Sequence, residues 1–239
     1  MKRPERQYIS AIGALIVAMA LGAQPAHADV VPFGFSGNGF SASGFMTIAL
    51  NVAPVDPDPN CGTVGNNPCR TDPAGAYAIT GITGIFTDPS NNIFNAAITG
   101  LVPIDPANER DPIFDPLVPS SLSFFDISDG TAFSYSNLYY PAGSPLVCTT
   151  FPFTGTLVDV FGVAFTVDGG YTVDVWGDGD LHGPGTTTYG LGVTDGQTKL
   201  ADQFDGLNAV STVPEPGTFA LLGIGLVGML AWRKRATAL

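Results

Sequence analysis

Short apolar runs, alternating or β-branched, recur along the middle of the chain and are cut at close intervals by Gly, Pro, Asn and Asp. A period of two bounded by turn formers is the signature of β-strands, and few stretches offer the longer period of a helix. Gly (30) and Pro (20) make up about a fifth of the 239 residues, which excludes a coiled coil and disfavours an all-helical fold. The apolar content of 45 % is too high for a disordered chain.

The runs predict strands over residues 33–37 and 40–50 around Gly37-Asn38-Gly39, and a hairpin of 78–86 with 93–101. Further strands are expected at 122–127 and 132–138 around Ser128-Asp129-Gly130, and at 156–167 and 171–176. The last two flank Asp168-Gly169-Gly170, the strongest hairpin signal in the sequence. A strand at 186–193 and a weak one at 200–210 complete the set. About ten strands joined by hairpins predict an all-β fold: a single antiparallel β-sandwich of jelly-roll type over residues 29–212. Residues 51–73 and 103–119, each with five prolines, are expected as long loops.

The two ends read differently from the body. Lys2, Arg3 and Arg6 precede an apolar run over 9–21, and Ala26-His27-Ala28 forms a small-x-small site before Asp29. This predicts a signal peptide over 1–28, cut by signal peptidase between Ala28 and Asp29. At the other end, Pro214-Glu215-Pro216 precedes an uncharged apolar stretch over 218–232, closed by Arg233-Lys234-Arg235. Fifteen helical residues span about 22 Å against a hydrocarbon core of roughly 30 Å, so the expected transmembrane helix, about 217–232, is a marginal one. Its basic end belongs in the cytoplasm, which places the body outside.

Pro-Glu-Pro, a short apolar helix and a terminal basic cluster, in that order over 213–239, closely resemble the PEP-CTERM sorting signal. The resemblance implies an exported protein of a Gram-negative bacterium that makes extracellular polysaccharide. It also implies an exosortase, a membrane-embedded cysteine protease, as partner, with Pro214, Glu215 and Pro216 as recognition residues. The protein would then be held transiently in the inner membrane before reaching the cell surface or extracellular matrix. Physically, each proline fixes φ and disfavours helix in its predecessor, so the motif forms a stiff extended stalk that a protease can grip.

Residues 29–213 hold 19 acidic residues against three basic ones, Arg70, Arg110 and Lys199. Binding to nucleic acid or anionic lipid through a basic face is thereby excluded. Cys61 and Cys69 enclose a turn rich in Gly and Asn and are expected to form a disulfide in an exported protein, leaving Cys148 as the odd cysteine. No cofactor is expected. Calcium is the one metal with candidate ligands, Asp174, Asp178 and Asp180, where a strand enters a Gly-rich loop. Asp56-x-Asp58-x-Asn60 is a weaker candidate, because prolines fill the intervening positions. No catalytic residues stand out: no Gly-x-Ser-x-Gly elbow or phosphate-binding glycine loop is present, and His182 is the single histidine after residue 28. Tyr139 and Tyr140, before Pro141, are the best candidates for an exposed sugar-stacking pair.

The expectation is therefore a non-enzymatic exported surface or matrix protein, possible contacts with extracellular polysaccharide included. The alternatives are a polysaccharide-acting hydrolase and a calcium-dependent carbohydrate-binding or adhesin module. A hydrolase needs a cleft with two facing carboxylates, and a binding module needs a cluster of accessible aromatic rings.

Overall fold

The computed structural model describes residues 28–51, 70–105, 117–179 and 188–211. These form eleven strands and one three-residue 3-10 turn, with no α-helix among the described residues. The strands are β1 (Asp29–Gly37), β2 (Phe40–Leu50), β3 (Tyr77–Asp88), β4 (Ile93–Leu101), β5 (Ser123–Asp126) and β6 (Ala132–Tyr135). They continue with β7 (Leu138–Tyr139), β8 (Val163–Val167), β9 (Tyr171–Gly179), β10 (Thr188–Thr194) and β11 (Lys199–Ser211).

Pairing runs β2-β1-β11-β10-β9-β8-β4-β3, and β3 pairs again with β2, so eight antiparallel strands close on themselves. The all-β expectation holds, but the body is a closed barrel and not a sandwich or jelly roll. Strands of either architecture alternate with the same period, and local hairpins look alike in both. The difference lies in one long-range ladder: the first strand pairs with the last, Phe33 opposite Ser211 and Ser36 opposite Asn208. The chain otherwise meanders around the barrel, each strand beside its predecessor, apart from the insertion between β4 and β8.

Local chemistry accounts for the hairpins. Asn38 and Gly39 join β1 to β2 with φ of 50° and 89°, the positive pair that a two-residue turn matching strand twist requires. Asp88 caps the 3-10 turn between β3 and β4, its Oδ1 accepting from the Ser90 and Asn91 amides at 3.1 and 3.3 Å. Inward-facing residues fill the barrel, among them Phe35, Phe86, Phe165, Val173, Tyr189 and Leu191. Eight strands leave an interior just wide enough for side chains, so the barrel is a packed core and not a channel.

The segment between β4 and β8 does two things. Its β5–β6 hairpin lies outside the barrel as a separate two-stranded sheet. Residues 156–158 plug one end of the barrel: Val158 joins the core, and the Leu157 amide donates to the Tyr189 hydroxyl at 2.9 Å. The expected strand over 156–167 is therefore β-structure only from Val163. Asp159 ties the plug down. Its carboxylate accepts from Ser136 Oγ, the Tyr140 hydroxyl and the amides of Phe161 and Gly162, all at 3.0–3.1 Å.

Tyr139 and Tyr140 are not the exposed pair expected from their place before Pro141; both are buried. Tyr139 pairs with Tyr77 through β7 and enters the core, while Tyr140 reaches Asp159. The weak strand at 200–210 is β11, the longest of all at 13 residues. β1 starts at Asp29, the residue that cleavage after Ala28 would expose. Cys148 is a free, buried thiol packed with Val118, Leu122, Val147 and Phe161. Residues 1–27 of the expected signal peptide (1–28), Cys61, Cys69, the Asp56-Asp58-Asn60 group, Asp180, His182, and the tail with Pro214, Glu215 and Pro216 lie outside the described residues. Among the described residues no helix is long and apolar enough to cross a membrane.

Candidate functional site: a cavity on the outer wall of the barrel

The sequence of β10 explains why a cavity exists. In Tyr189-Gly190-Leu191-Gly192-Val193 the large residues point into the barrel and both glycines face out. This bare strip is where other side chains lie down. A Cβ on Gly190 would fall 2.2 Å from the Trp176 indole, and one on Gly192 would fall 2.5 Å from the Phe133 ring. No residue larger than glycine fits under either ring without displacing it.

Register places the flanking residues. On one side of Gly192 is Asp174 of β9, on the other Asp202 of β11. Trp176 lies opposite Gly190, and its ring meets Phe204 edge-on with centroids 5.8 Å apart. Phe133, brought in by the β5–β6 hairpin, sits on Gly192 between the two acidic positions. Lys199 Nζ lies 5.7 Å from the centre of that ring and pairs with Asp202 Oδ2 at 2.9 Å. Phe124, Phe151, Phe153 and Phe161, from the insertion, roof the space. The result is a cavity of about 440 Å³ with largely apolar walls rich in aromatic rings, within the usual range for a small-molecule site.

Two carboxyl groups line this cavity at great depth: Asp174 is 2 % and Asp178 3 % exposed. Trp176 Nε1 donates to Asp178 Oδ1 at 2.9 Å. Asp174 Oδ1 is buried with no hydrogen-bond partner. Burial holds the Asp174 carboxyl well above the usual carboxylate range, and the nearby charge of Asp159 pushes the same way. Burial also lifts Asp159, to about 6, against the hydrogen bonds that favour its ionised form. Tyr135 is pushed up to about 12 by burial and by Asp105 and Asp174; its hydroxyl donates to the Pro103 carbonyl at 2.8 Å.

Of the three aspartates singled out for calcium, the structure thus brings Asp174 and Asp178 to one face of β9 and one cavity, while Asp180 lies beyond the described residues. Among the described residues no three His, Cys, Asp or Glu side chains are grouped to hold a metal ion. Phe133, Lys199, Asp202 and Phe204 were not expected at a site. The readable signal was the alternation of glycine with large apolar residues in β10, which announces an outer face packed against something.

The family model of the PEP-CTERM protein-sorting motif matches residues 212–235. The chain therefore carries at its C-terminal end the signal of exported proteins that are processed by an exosortase. The motif begins directly after β11, the strand that closes the barrel. Comparison with curated proteins and with solved structures gave no match.

Proposed function

We propose that this chain is a non-enzymatic exported protein, released or passed on to the cell surface or extracellular matrix by an exosortase, and that its barrel serves there as a small binding module. The sorting motif at 212–235 carries the first half of this reading. Signal peptidase acts at Ala28–Asp29 and the exosortase at Pro214-Glu215-Pro216. Each site flanks a strand of the same β1–β11 ladder, so both cuts leave the barrel whole.

The cavity supports the second half. A purely structural body has no need of a cavity of about 440 Å³ lined by aromatic rings and deeply set carboxyls. A hydrolase needs two carboxyl groups facing each other across free space. Here the Phe133 ring occupies the row between Asp174 and Asp202, which favours binding over turnover.

The test is a triple alanine substitution of Pro214, Glu215 and Pro216 in a host that has an exosortase. Membrane insertion should persist, because no apolar residue of the tail changes. Full-length protein should accumulate in the inner membrane. Processing and placement like the wild type would overturn the sorting reading. Release of reducing sugar from the host's polysaccharide by the purified protein would overturn the non-enzymatic one.

A further inference from the structure

On the reading of the body as a binding module, on which this rests, we infer that the cavity takes a small organic cation: a protonated amine carried on an aromatic or aliphatic body. Three observations carry this. The first is Asp174, a residue of the cavity lining whose Oδ1 is buried without a hydrogen-bond partner. A buried acceptor left unmade costs free energy that an incoming N–H donor recovers, the more so when donor and acceptor are both charged.

The second is the balance of donors and acceptors. Asp174, Asp178 and Asp202 line the cavity, and Lys199, the one basic side chain there among the described residues, is already paired with Asp202. An anionic ligand would meet repulsion. A sugar needs donors as well as acceptors around its hydroxyls; among the lining side chains the Trp176 N–H is engaged by Asp178 and Lys199 by Asp202, so carboxyl acceptors outnumber the remaining donors. The third is the aromatic enclosure. The faces of Trp176, Phe133 and Phe204 attract a cation through the ring quadrupole, as Lys199 already demonstrates over Phe133.

The charged and titratable groups around Asp174 are Asp178 on its own strand, Asp202 and Lys199 on β11, and Asp159 and Tyr135 of the insertion. Of these only Lys199 is cationic, and its partner offsets it. A bound ammonium would supply the missing positive charge and draw the proton from Asp174, so that binding and proton release are coupled.

The experiment uses the full chain in non-ionic detergent with Trp232→Phe, which leaves Trp176 as the single tryptophan reporting from the cavity wall. Benzylamine, benzyl alcohol and benzoate are titrated by fluorescence and calorimetry. Benzylamine should bind about ten-fold or more tighter than benzyl alcohol, and benzoate should bind weakest. Its affinity should rise as pH is raised above the ordinary aspartate range, with proton release, a readout that needs no cavity variant. Asp174→Asn, close in shape, should bring benzylamine down to the alcohol's level. Equal binding of amine and alcohol, or an amine affinity indifferent to pH, would overturn the inference. So would an oligosaccharide that perturbs Trp176 where benzylamine does not. None of these outcomes touches the sorting experiment, so the two readings fail separately.

Discussion

Asp159 and Asp174 set the acid–base behaviour of the fold. Both hold their protons more tightly when buried than in the unfolded chain, where an aspartate titrates near 4. Between about pH 4 and pH 6 the folded state therefore binds more protons than the unfolded state, and stability falls as pH rises through that window. Asp174, also raised by burial, acts in the same sense. Asp129 and Asp195, held low by hydrogen bonds from Thr131 and Thr198, act in the opposite sense at the acid end. Their contribution is full above the unfolded value and is lost as pH drops through their folded values. The melting temperature should thus be highest near pH 4 and lower at pH 7, by on the order of 5 °C. Asp174→Asn should make the fall with rising pH shallower, and a profile that climbs steadily to pH 7 would contradict the assignment. The glycine strip makes a sharper claim. Gly192→Ala must push Phe133 aside, and overpacking of this kind costs about 1–3 kcal/mol; chemical denaturation of the variant measures it. An alanine at Gly196, which has open space around its Cβ position, tests turn strain alone and separates the two effects.

At the level of elements, the insertion between β4 and β8 depends on a single carboxylate. Asp159→Ala would strand two hydroxyl and two amide donors in a buried place. Each such loss costs about 1–3 kcal/mol, so the variant should lose several, and hydrogen exchange should rise first across residues 136–162 and only later in the barrel core. Uniform loss of protection would show that plug and barrel open together. The same segment marks the limit of what can be read from sequence. The hairpins at Asn38-Gly39 and Asp168-Gly169-Gly170 were legible because turn chemistry is local. Residues 156–162 read as strand because their apolar pattern is that of a buried extended segment; they are buried, but the backbone bends through them and Asp159 closes a turn onto the Phe161 and Gly162 amides. β11 read as weak because Asp202, Gln203, Phe204 and Asn208 blur its alternation, and only its pairing on both sides reveals a strand. Asp174 and Asp178 were visible as chemistry, but their aromatic companions were not. Phe133 and Phe204 reach the cavity through strand order, which no local pattern encodes.

For the whole molecule, the barrel's integrity should depend on where the chain is cut. Ending it after residue 211 removes the tail and no strand, so the body should retain its cooperative melt. Ending it at 198 deletes β11, exposes unpaired edges on β1 and β10, and should give an aggregating product; size exclusion and melting of the two truncations distinguish the outcomes. A shared, well-ordered melt would mean that the ladder between first and last strands contributes little.

That ladder also imposes an order of events. A chain threaded through a membrane N-terminus first delivers β1 early and β11 last, immediately before the sorting tail. Until the final strand emerges, β1 waits with one open edge, and pairings so distant in sequence are intrinsically slow to form. The barrel can close only when the tail itself has arrived at the membrane. Completion of folding and presentation of the stalk to a protease are thus consecutive moments of one delivery, and a chain broken off early would have neither a sealed wall nor an address.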